Sequence, residues 1–298
     1  IGISILRHIV SATPHKLTVM ASPRRKTLSG ATTWSIAEQL DLPRIPAREA
    51  KQPGFPEQMR SQKVDLLISV RSRYILSQGV IAAPTLGAFN LHTGPLPAYA
   101  GINVINWAIY NGETRHGVTL HHMNVDVDAG DIAYSDAIEI EHDDSAAALT
   151  KKCFRASLSL VKKLIDDIEL NPASIPSIKQ NLAERQWYAP GTPHDGFVPW
   201  NEGAKRAANF VRACDYFPFD SPWGLAKTTQ NGKILGILKA VATHEKTNAI
   251  AGYVGESSTD AVRVSAGDYW LLVTEVLLAE QRMAASEVLL SGSLLTNA

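Results

Sequence analysis

Asn90, Leu91 and His92, followed downstream by Asp128 in the run Val125-Asp126-Val127-Asp128-Ala129-Gly130-Asp131, supply a carboxamide, an imidazole and a carboxylate from two separate segments. The set suits acyl transfer. An amide side chain can hold a developing oxyanion, an imidazole can shuttle a proton, and a carboxylate can fix the tautomer and charge of the imidazole. A neutral amine attacking a carbonyl carbon builds negative charge on oxygen and positive charge on nitrogen together. Asn90 and His92 can donate to the oxyanion, while Asp128 either holds His92 protonated or takes the amine proton, directly or through water. No covalent enzyme intermediate is required: neither cysteine lies beside a histidine, and no G-x-S-x-G elbow is present. Taken singly, each of the three reads as a turn or backbone-stabilising residue. Only the combination carries the chemistry.

The elements that must position them follow from periodicity. Alternating strand and helix patterns run through the amino-terminal half, with a strand at 17–20, an amphipathic helix at 33–40 and a buried strand at 64–70. This is α/β patterning. Residues 88–92 read as the next strand, so Asn90 and His92 share one face and emerge at its carboxyl edge, where open α/β sheets bind ligands. Asn103 is the expected N-cap of a helix through Trp107 and Tyr110 that stops at Asn111-Gly112. A strand at 117–123 then delivers the Asp128 loop. Alternation places His121 and His122 on opposite faces, which speaks against a paired metal site and for strand residues or acceptor contacts. Leu149, Cys153, Ala156, Leu160, Leu164 and Ile168 form a packing stripe on a helix over 145–170.

Residues 186–200, with three prolines and two glycines, read as a linker. Beyond it a helix at 202–214 precedes strand-like segments around Lys227 and at 234–241, 250–254, 261–264 and 269–278. Asn231-Gly232 and Ala266-Gly267-Asp268 supply the turn chemistry. The expected division is therefore residues 1–185, a linker at 186–200 and a small β-rich domain at 201–298.

With 298 residues, the chain has room for two domains of about 150 residues each. Its apolar runs are too short to span a bilayer, so no membrane role is expected. Two cysteines, Cys153 and Cys214, fit a reducing cytoplasm and read as buried small hydrophobes. Acidic and basic residues balance at 29 each, and from Pro199 onward nine Lys/Arg face ten Asp/Glu. A nucleic-acid-binding domain would carry a basic face. The run Pro23-Arg24-Arg25-Lys26 is the one obvious basic cluster, a solvated loop or a contact for an anionic acceptor.

The stretches Phe89-Asn-Leu-His-Thr-Gly-Pro-Leu-Pro97, Gly101-Ile-Asn-Val-Ile-Asn-Trp-Ala-Ile-Tyr-Asn-Gly112 and Gly117-Val-Thr-Leu-His-His-Met123 make the chain resemble the folate-dependent formyltransferases. Those enzymes move a formyl group from 10-formyltetrahydrofolate to an amine, using an N-x-H motif followed by a loop of the type Leu-Asp-Thr/Gly-Gly. The resemblance implies an α/β, Rossmann-like formyltransferase domain followed by a small β-rich, OB-like carboxy-terminal domain, acting without a metal. It makes Asn90, His92 and Asp128 the catalytic set, with Asp131 positioning the loop and Ala129 in place of the commoner Thr or Gly. It also implies that backbone of Arg71, Ser72, Arg73, Tyr74, Ile75 and Leu76, and of the loop holding Val125, Asp126, Val127, Gly130 and Asp131, holds the pterin. Arg71 or Arg73 reads either as a surface salt-bridge partner or as a contact for a carboxylate of folate or acceptor. Phe217-Pro-Phe-Asp-Ser-Pro-Trp223 is either a packed turn or part of an acceptor pocket. The resemblance is strongest over 86–131 and weakens at the beginning, where 1–13 looks like part of a first helix and further residues are expected before Ile1.

Weak basic character favours a small-molecule amine as acceptor (an amino sugar, an amino acid derivative or a natural-product intermediate) over tRNA as in methionyl-tRNA formyltransferase. Formimidoyl transfer would use the same residues. Hydrolysis of 10-formyltetrahydrofolate and a non-catalytic folate- or tRNA-binding module are the competing classes.

Overall fold

The computed structural model describes residues 1–23, 31–72 and 74–297. In chain order the first elements are α1 (Gly2–Ala12), β1 (Val19–Ala21), α2 (Thr33–Gln39), β2 (Arg44–Pro46), α3 (Phe55–Ser61), β3 (Leu66–Val70), α4 (Gln78–Ile81), β4 (Gly87–His92) and β5 (Ala100–Gly101). They are followed by α5 (Val104–Asn111), β6 (Arg115–His122), β7 (Ile132–Glu139), α6 (Ala146–Leu170) and β8 (Trp187–Tyr188). The last are α7 (Ala204–Cys214), β9 (Ala226–Gln230), β10 (Lys233–Lys246), β11 (Val254–Ser257), β12 (Val262–Ser265), β13 (Tyr269–Leu278), β14 (Gln281–Ala284), α8 (Ala285–Val288) and β15 (Leu295–Thr296). Packing divides the chain into two compact units, one of residues 1–101, 117–138 and 151–187, the other of residues 102–116, 139–150 and 188–298.

In the first unit β3, β4, β6 and β7 form a mixed sheet in that order. β3 runs parallel to β4, from Leu66 opposite Gly87 to Val70 opposite Leu91, and β6 runs antiparallel to β4. α3 and α4 cover this sheet through Phe55, Met59, Val80 and Ile81, which cluster with Leu76 and Ala88. β3 is only half-buried, with Ser69 its one buried residue, which corrects the expectation of a buried strand. Among the described residues it ends the strand order, with no strand paired to its other edge. A second, two-stranded parallel sheet pairs β1 with β2. α2 starts with a reciprocal cap, in which the Ser35 N–H donates to Thr32 Oγ1 (3.0 Å) and the Thr32 N–H to Ser35 Oγ (2.9 Å). The helix buries Ile36 and Ala37 with Leu6 and Val19.

In the second unit the strand order is β11-β12-β13-β10-β9-β15, with β14 added beside β13. A Tyr253–Leu294 bridge, and the Val254 N–H donating to the Ser293 carbonyl (2.9 Å), join the two ends, so the sheet curls round until its edges meet. Register shifts in β10 between Ile237 and Lys246 bend that long strand as the curl requires. Asn231 (φ 51°) and Gly232 (φ 74°) turn β9 into β10 with the left-handed pair of a type I′ hairpin. β13 covers the expected 269–278, whereas 250–253 is a turn and strand begins only at Val254. β14 and β15 escaped the sequence pattern, because one is a polar edge strand and the other has two residues.

Trp107, Tyr110, Tyr188, His194, Phe210 and Trp223 pack together in the same unit, with Trp107 edge-on to Trp223 at a centroid distance of 5.0 Å and Phe210 stacked on Trp223. The segment 217–223 is thus split: Trp223 is buried, while Phe217 and Phe219 are exposed. Asn103 precedes α5 but makes no capping bond, because its backbone is left-handed (φ 55°) rather than extended as a side-chain cap requires. On α6 the buried line is Leu149, Cys153, Ser157, Leu160, Val161, Leu164 and Ile165, with Ala156 and Ile168 only half-buried. Cys153 and Cys214 are buried free thiols, and burial pushes both up to about 12. No helix among the described residues is long and apolar enough to cross a membrane.

Candidate functional site

β4 presents Asn90 and His92 two residues apart on one face, and its antiparallel register sets Asn90 opposite His121 and His92 opposite Thr119 of β6. Residues 123–131 then fold back towards β4. At their turn Asp128 adopts a left-handed backbone (φ 56°), a conformation that costs a non-glycine residue roughly 1–2 kcal/mol. The loop is fixed at several points. Gln180 Nε2 donates to the carbonyls of Gly130 (2.6 Å) and Asp128 (3.1 Å), and an Arg185 NH2 group donates to that of Val127 (2.5 Å). Ser177 Oγ donates to Asp131 Oδ2 (2.7 Å). A Cβ on Gly130 would lie 1.8 Å from the His122 carbonyl oxygen, so only glycine lets the loop approach β6 this closely.

The three candidate side chains meet around Asp128. Its Oδ1 lies 3.4 Å from Asn90 Nδ2, and its Oδ2 lies 3.6 Å from His92 Nδ1 and accepts the Gly101 N–H at 2.9 Å. His92 Nε2 is 2.6 Å from the Tyr99 carbonyl. A carbonyl only accepts, so Nε2 carries a proton and Nδ1 faces the carboxylate. His121 completes the group, with Nδ1 donating to the His122 carbonyl (2.8 Å) and Nε2 3.1 Å from Asn90 Nδ2 and 3.6 Å from Asp128 Oδ1. His121 Nε2 thus lies between the Asn90 amide and the Asp128 carboxylate, and the Asn90 Nδ2 faces both. His122 points to the other face, against the Phe89 ring and with Nε2 donating to the Pro176 carbonyl (2.8 Å).

Burial dominates His92 and carries its pKa below the ordinary imidazole value, against the opposing pull of Asp128 and the Tyr99 carbonyl. For Asp128 burial is again the largest influence and works upward. Its contact with His121, the His92 charge and the Gly101 N–H together outweigh it and leave the carboxyl below its usual range. The resting pair is therefore a neutral imidazole beside a carboxylate.

His121, Gln180 and Arg185 were not singled out as site residues from the sequence. Alternation did put His121 and His122 on opposite faces, but which one turns towards Asn90 depends on the β4–β6 register. Gln180 and Arg185 lie some fifty residues beyond the loop they hold. In the other expected segment, Ser72 Oγ accepts the Tyr74 N–H (3.1 Å), Ile75 is exposed and Leu76 buried. Arg71 forms no ion pair among the described residues, so the salt-bridge alternative is not met, and its guanidinium lies 5.8 Å over the Phe154 ring. Arg73 and the basic residues Arg24, Arg25 and Lys26 lie outside the described residues.

Residues 11–163 match the model of the family described as formyl transferase, and residues 191–293 match that of the formyl transferase C-terminal domain. Among solved structures, an N-formyltransferase from Helicobacter canadensis in complex with folinic acid and dTDP-3-aminofucose aligns with a TM-score of 0.68 at 19% identity, over 91% of this chain and 94% of that one. WlaRD, a sugar 3N-formyltransferase crystallised with dTDP and 5-N-formyl-THF, aligns with a TM-score of 0.67 at 18% identity, over 92% and 93%. HypX from Aquifex aeolicus in complex with tetrahydrofolic acid aligns at 0.59 and 20% identity, over 91% of this chain and 46% of the longer one. At such identities these likenesses establish a shared fold.

Proposed function

The chain belongs to the formyltransferase family, and from that premise we propose that it moves a formyl group from 10-formyltetrahydrofolate to the amine of a small molecule, with an amino sugar as the favoured acceptor class. The observation that carries this reading is the convergence of Asn90, His92 and Asp128, with the Asp128 carboxylate within 3.4 Å of the amide and 3.6 Å of the imidazole. Two of the aligned structures are described as sugar or N-formyltransferases crystallised with sugar nucleotide or dTDP, which supports the acceptor class.

In this reading neutral His92 receives the amine proton at Nδ1 as the nitrogen attacks the formyl carbon. Asp128 then stabilises the imidazolium, and the Asn90 amide turns one N–H from its 3.4 Å contact with Asp128 Oδ1 to the developing oxyanion. His92 returns the proton to the leaving folate nitrogen, so no charge is left on the enzyme. His121 keeps the Asn90 amide aimed. The Tyr99 carbonyl prevents His92 from turning its other nitrogen to the site. Backbone of 71–76 and of the 125–131 loop, where Ile75, Val125 and Val127 expose apolar surface, would hold the pterin of the donor. In this reading residues 1–185 form the catalytic domain, 186–200 the linker and 201–298 the carboxy-terminal domain.

The test is folate product formation from 10-formyltetrahydrofolate with and without a pool of amino sugars, amino acids and aminoacylated initiator tRNA. Amine-dependent turnover with a formylated sugar is the expected result. Formate release without amine would replace the reading by hydrolysis, and formylation of tRNA alone would replace the acceptor.

A further inference from the structure

Asp128 stands between two imidazoles. Its Oδ1 lies 3.6 Å from His121 Nε2 and its Oδ2 3.6 Å from His92 Nδ1, and all three side chains are buried. Two imidazolium rings beside one carboxylate repel each other, so only one of them is a seat for a resting proton. His92 is the poorer seat, because burial holds its pKa below the ordinary imidazole value and charge on His121 pushes it the same way. His121 already gives Nδ1–H to the His122 carbonyl (2.8 Å), so when neutral it turns a lone pair of Nε2 towards the carboxylate. A proton at Nε2 replaces acceptor against acceptor by a charge-assisted contact and leaves both ring N–H groups with acceptors.

That proton also decides how Asn90 stands. Nδ2 of the amide is 3.1 Å from His121 Nε2 and 3.4 Å from Asp128 Oδ1, while the half-buried amide's Oδ1 has no hydrogen-bond partner among the described residues. In this arrangement the free end of the amide offers an acceptor to a reacting carbonyl oxygen. With Nε2 protonated, donor meets donor at 3.1 Å, and a half-turn of the amide relieves it by bringing Oδ1 onto the imidazolium. The NH2 group then stands at the free end, where an oxyanion needs donors.

We propose that His121 carries a proton in the reacting state and thereby holds the Asn90 amide with Oδ1 on the imidazolium and NH2 towards the oxyanion. His121 is a positioning residue that acts through Asn90, and the proposal rests on the reading of the chain as an N-formyltransferase. The titratable groups set against it are Asp128 on the loop and His92 on β4, while His122 points to the other face. Its charge also keeps a proton taken up by His92 short-lived, which suits the return of that proton to the leaving nitrogen. Turnover then needs His92 neutral and His121 charged, so kcat has an alkaline limb as well as an acid one.

Long-range proton–nitrogen NMR spectra of the histidine rings in the full chain, with His121 assigned through its backbone resonances, read the proton without substrate or substitution. Expected is an imidazolium at His121 beside a neutral His92 at the pH of maximal turnover. A neutral His121 throughout the pH range of turnover overturns the proposal. Initial rates with 10-formyltetrahydrofolate and the accepted amine give the second readout, in which kcat of the unsubstituted protein should fall about tenfold per pH unit on the alkaline side. His121→Gln, whose amide N–H donates to Asn90 at any pH, should keep kcat within about tenfold and lose that limb. His121→Met, which has no donor, should lose about 10² in kcat at every pH, with the KM of the donor within about twofold. An alkaline limb that survives in His121→Gln, or a His121→Met protein as fast as the unsubstituted one, overturns the proposal. Formate release without amine, or no turnover at all by the unsubstituted protein, would instead bring down the functional reading, and the part of His121 in catalysis with it.

Discussion

Asp128 in the candidate-site loop and Asn231 in the β9–β10 hairpin share a left-handed backbone, with φ of 56° and 51°, yet the conformation has a different setting in the two units. At Asn231 it is what a two-residue hairpin demands, the residue is exposed, and Gly232 follows in the same conformation. At Asp128 the residue is buried, no hairpin requires the twist, and Gln180, Arg185 and the Gly101 N–H hold it from outside. Strain in the hairpin is turn chemistry. Strain in the loop aims a carboxylate, so disturbing it should cost catalysis where disturbing the hairpin costs only stability.

The largest effect should come from Asp128→Asn, which keeps shape and tolerates the left-handed backbone but removes the charge beside His92. A loss of roughly 10²–10⁴ in kcat is expected with little change in thermal midpoint. Gly130→Ala drives a methyl into the His122 carbonyl. Its cost should be about 1–3 kcal/mol by denaturant titration, together with on the order of 10² in kcat as Asp128 is displaced. Gln180→Ala removes two bonds to the loop and should lower kcat by about tenfold at a cost of roughly 1–2 kcal/mol, read from initial rates at saturating donor and from denaturant titration.

Acid separates the two regions as well. His92 and Asp128 both sit below their ordinary values, so each is deprotonated at neutral pH, and the acid limb of kcat should lie below about pH 6.5. Because the folded state then binds fewer protons than the unfolded chain, the stability contributed by the pair is complete above that pH and is lost as pH falls through the folded values. Stability curves of wild type and a His92→Gln variant should diverge with pH accordingly; parallel curves would contradict this. The smallest effect on activity belongs to Gly232→Ala. No atom lies within 4 Å of the added Cβ, so only the backbone cost of about 1 kcal/mol is expected and kcat should not move. A loss of catalysis there would erase the contrast between loop and hairpin.

Much of this was legible in the chain. The Asn231-Gly232 pair announced its hairpin because the two residue types that tolerate positive φ stand side by side. Asn90 and His92 were placed on one face by strand alternation alone, and Asp128 was chosen over Asp126 and Asp131 by its place in the loop motif. The half-buried state of β3 and the turn at 250–253 were misread, since each depends on what lies beside the segment rather than within it; Asn103 holds the expected N-cap position of α5 but without a side-chain capping bond. His121, Gln180 and Arg185 were missed as site residues for the same reason.

The sequence by itself therefore determined the residue types proposed for the chemistry and the periodicities that make strands and helices, because these depend on neighbours two to four positions away. Only the tertiary structure decided that β4 and β6 pair with Asn90 opposite His121, that Tyr99 fixes the His92 tautomer, and that Gln180 and Arg185 hold the Asp128 loop. Register and long-range hydrogen bonds join residues whose separation along the chain carries no periodic signal, so they come into being only when the sheet is assembled.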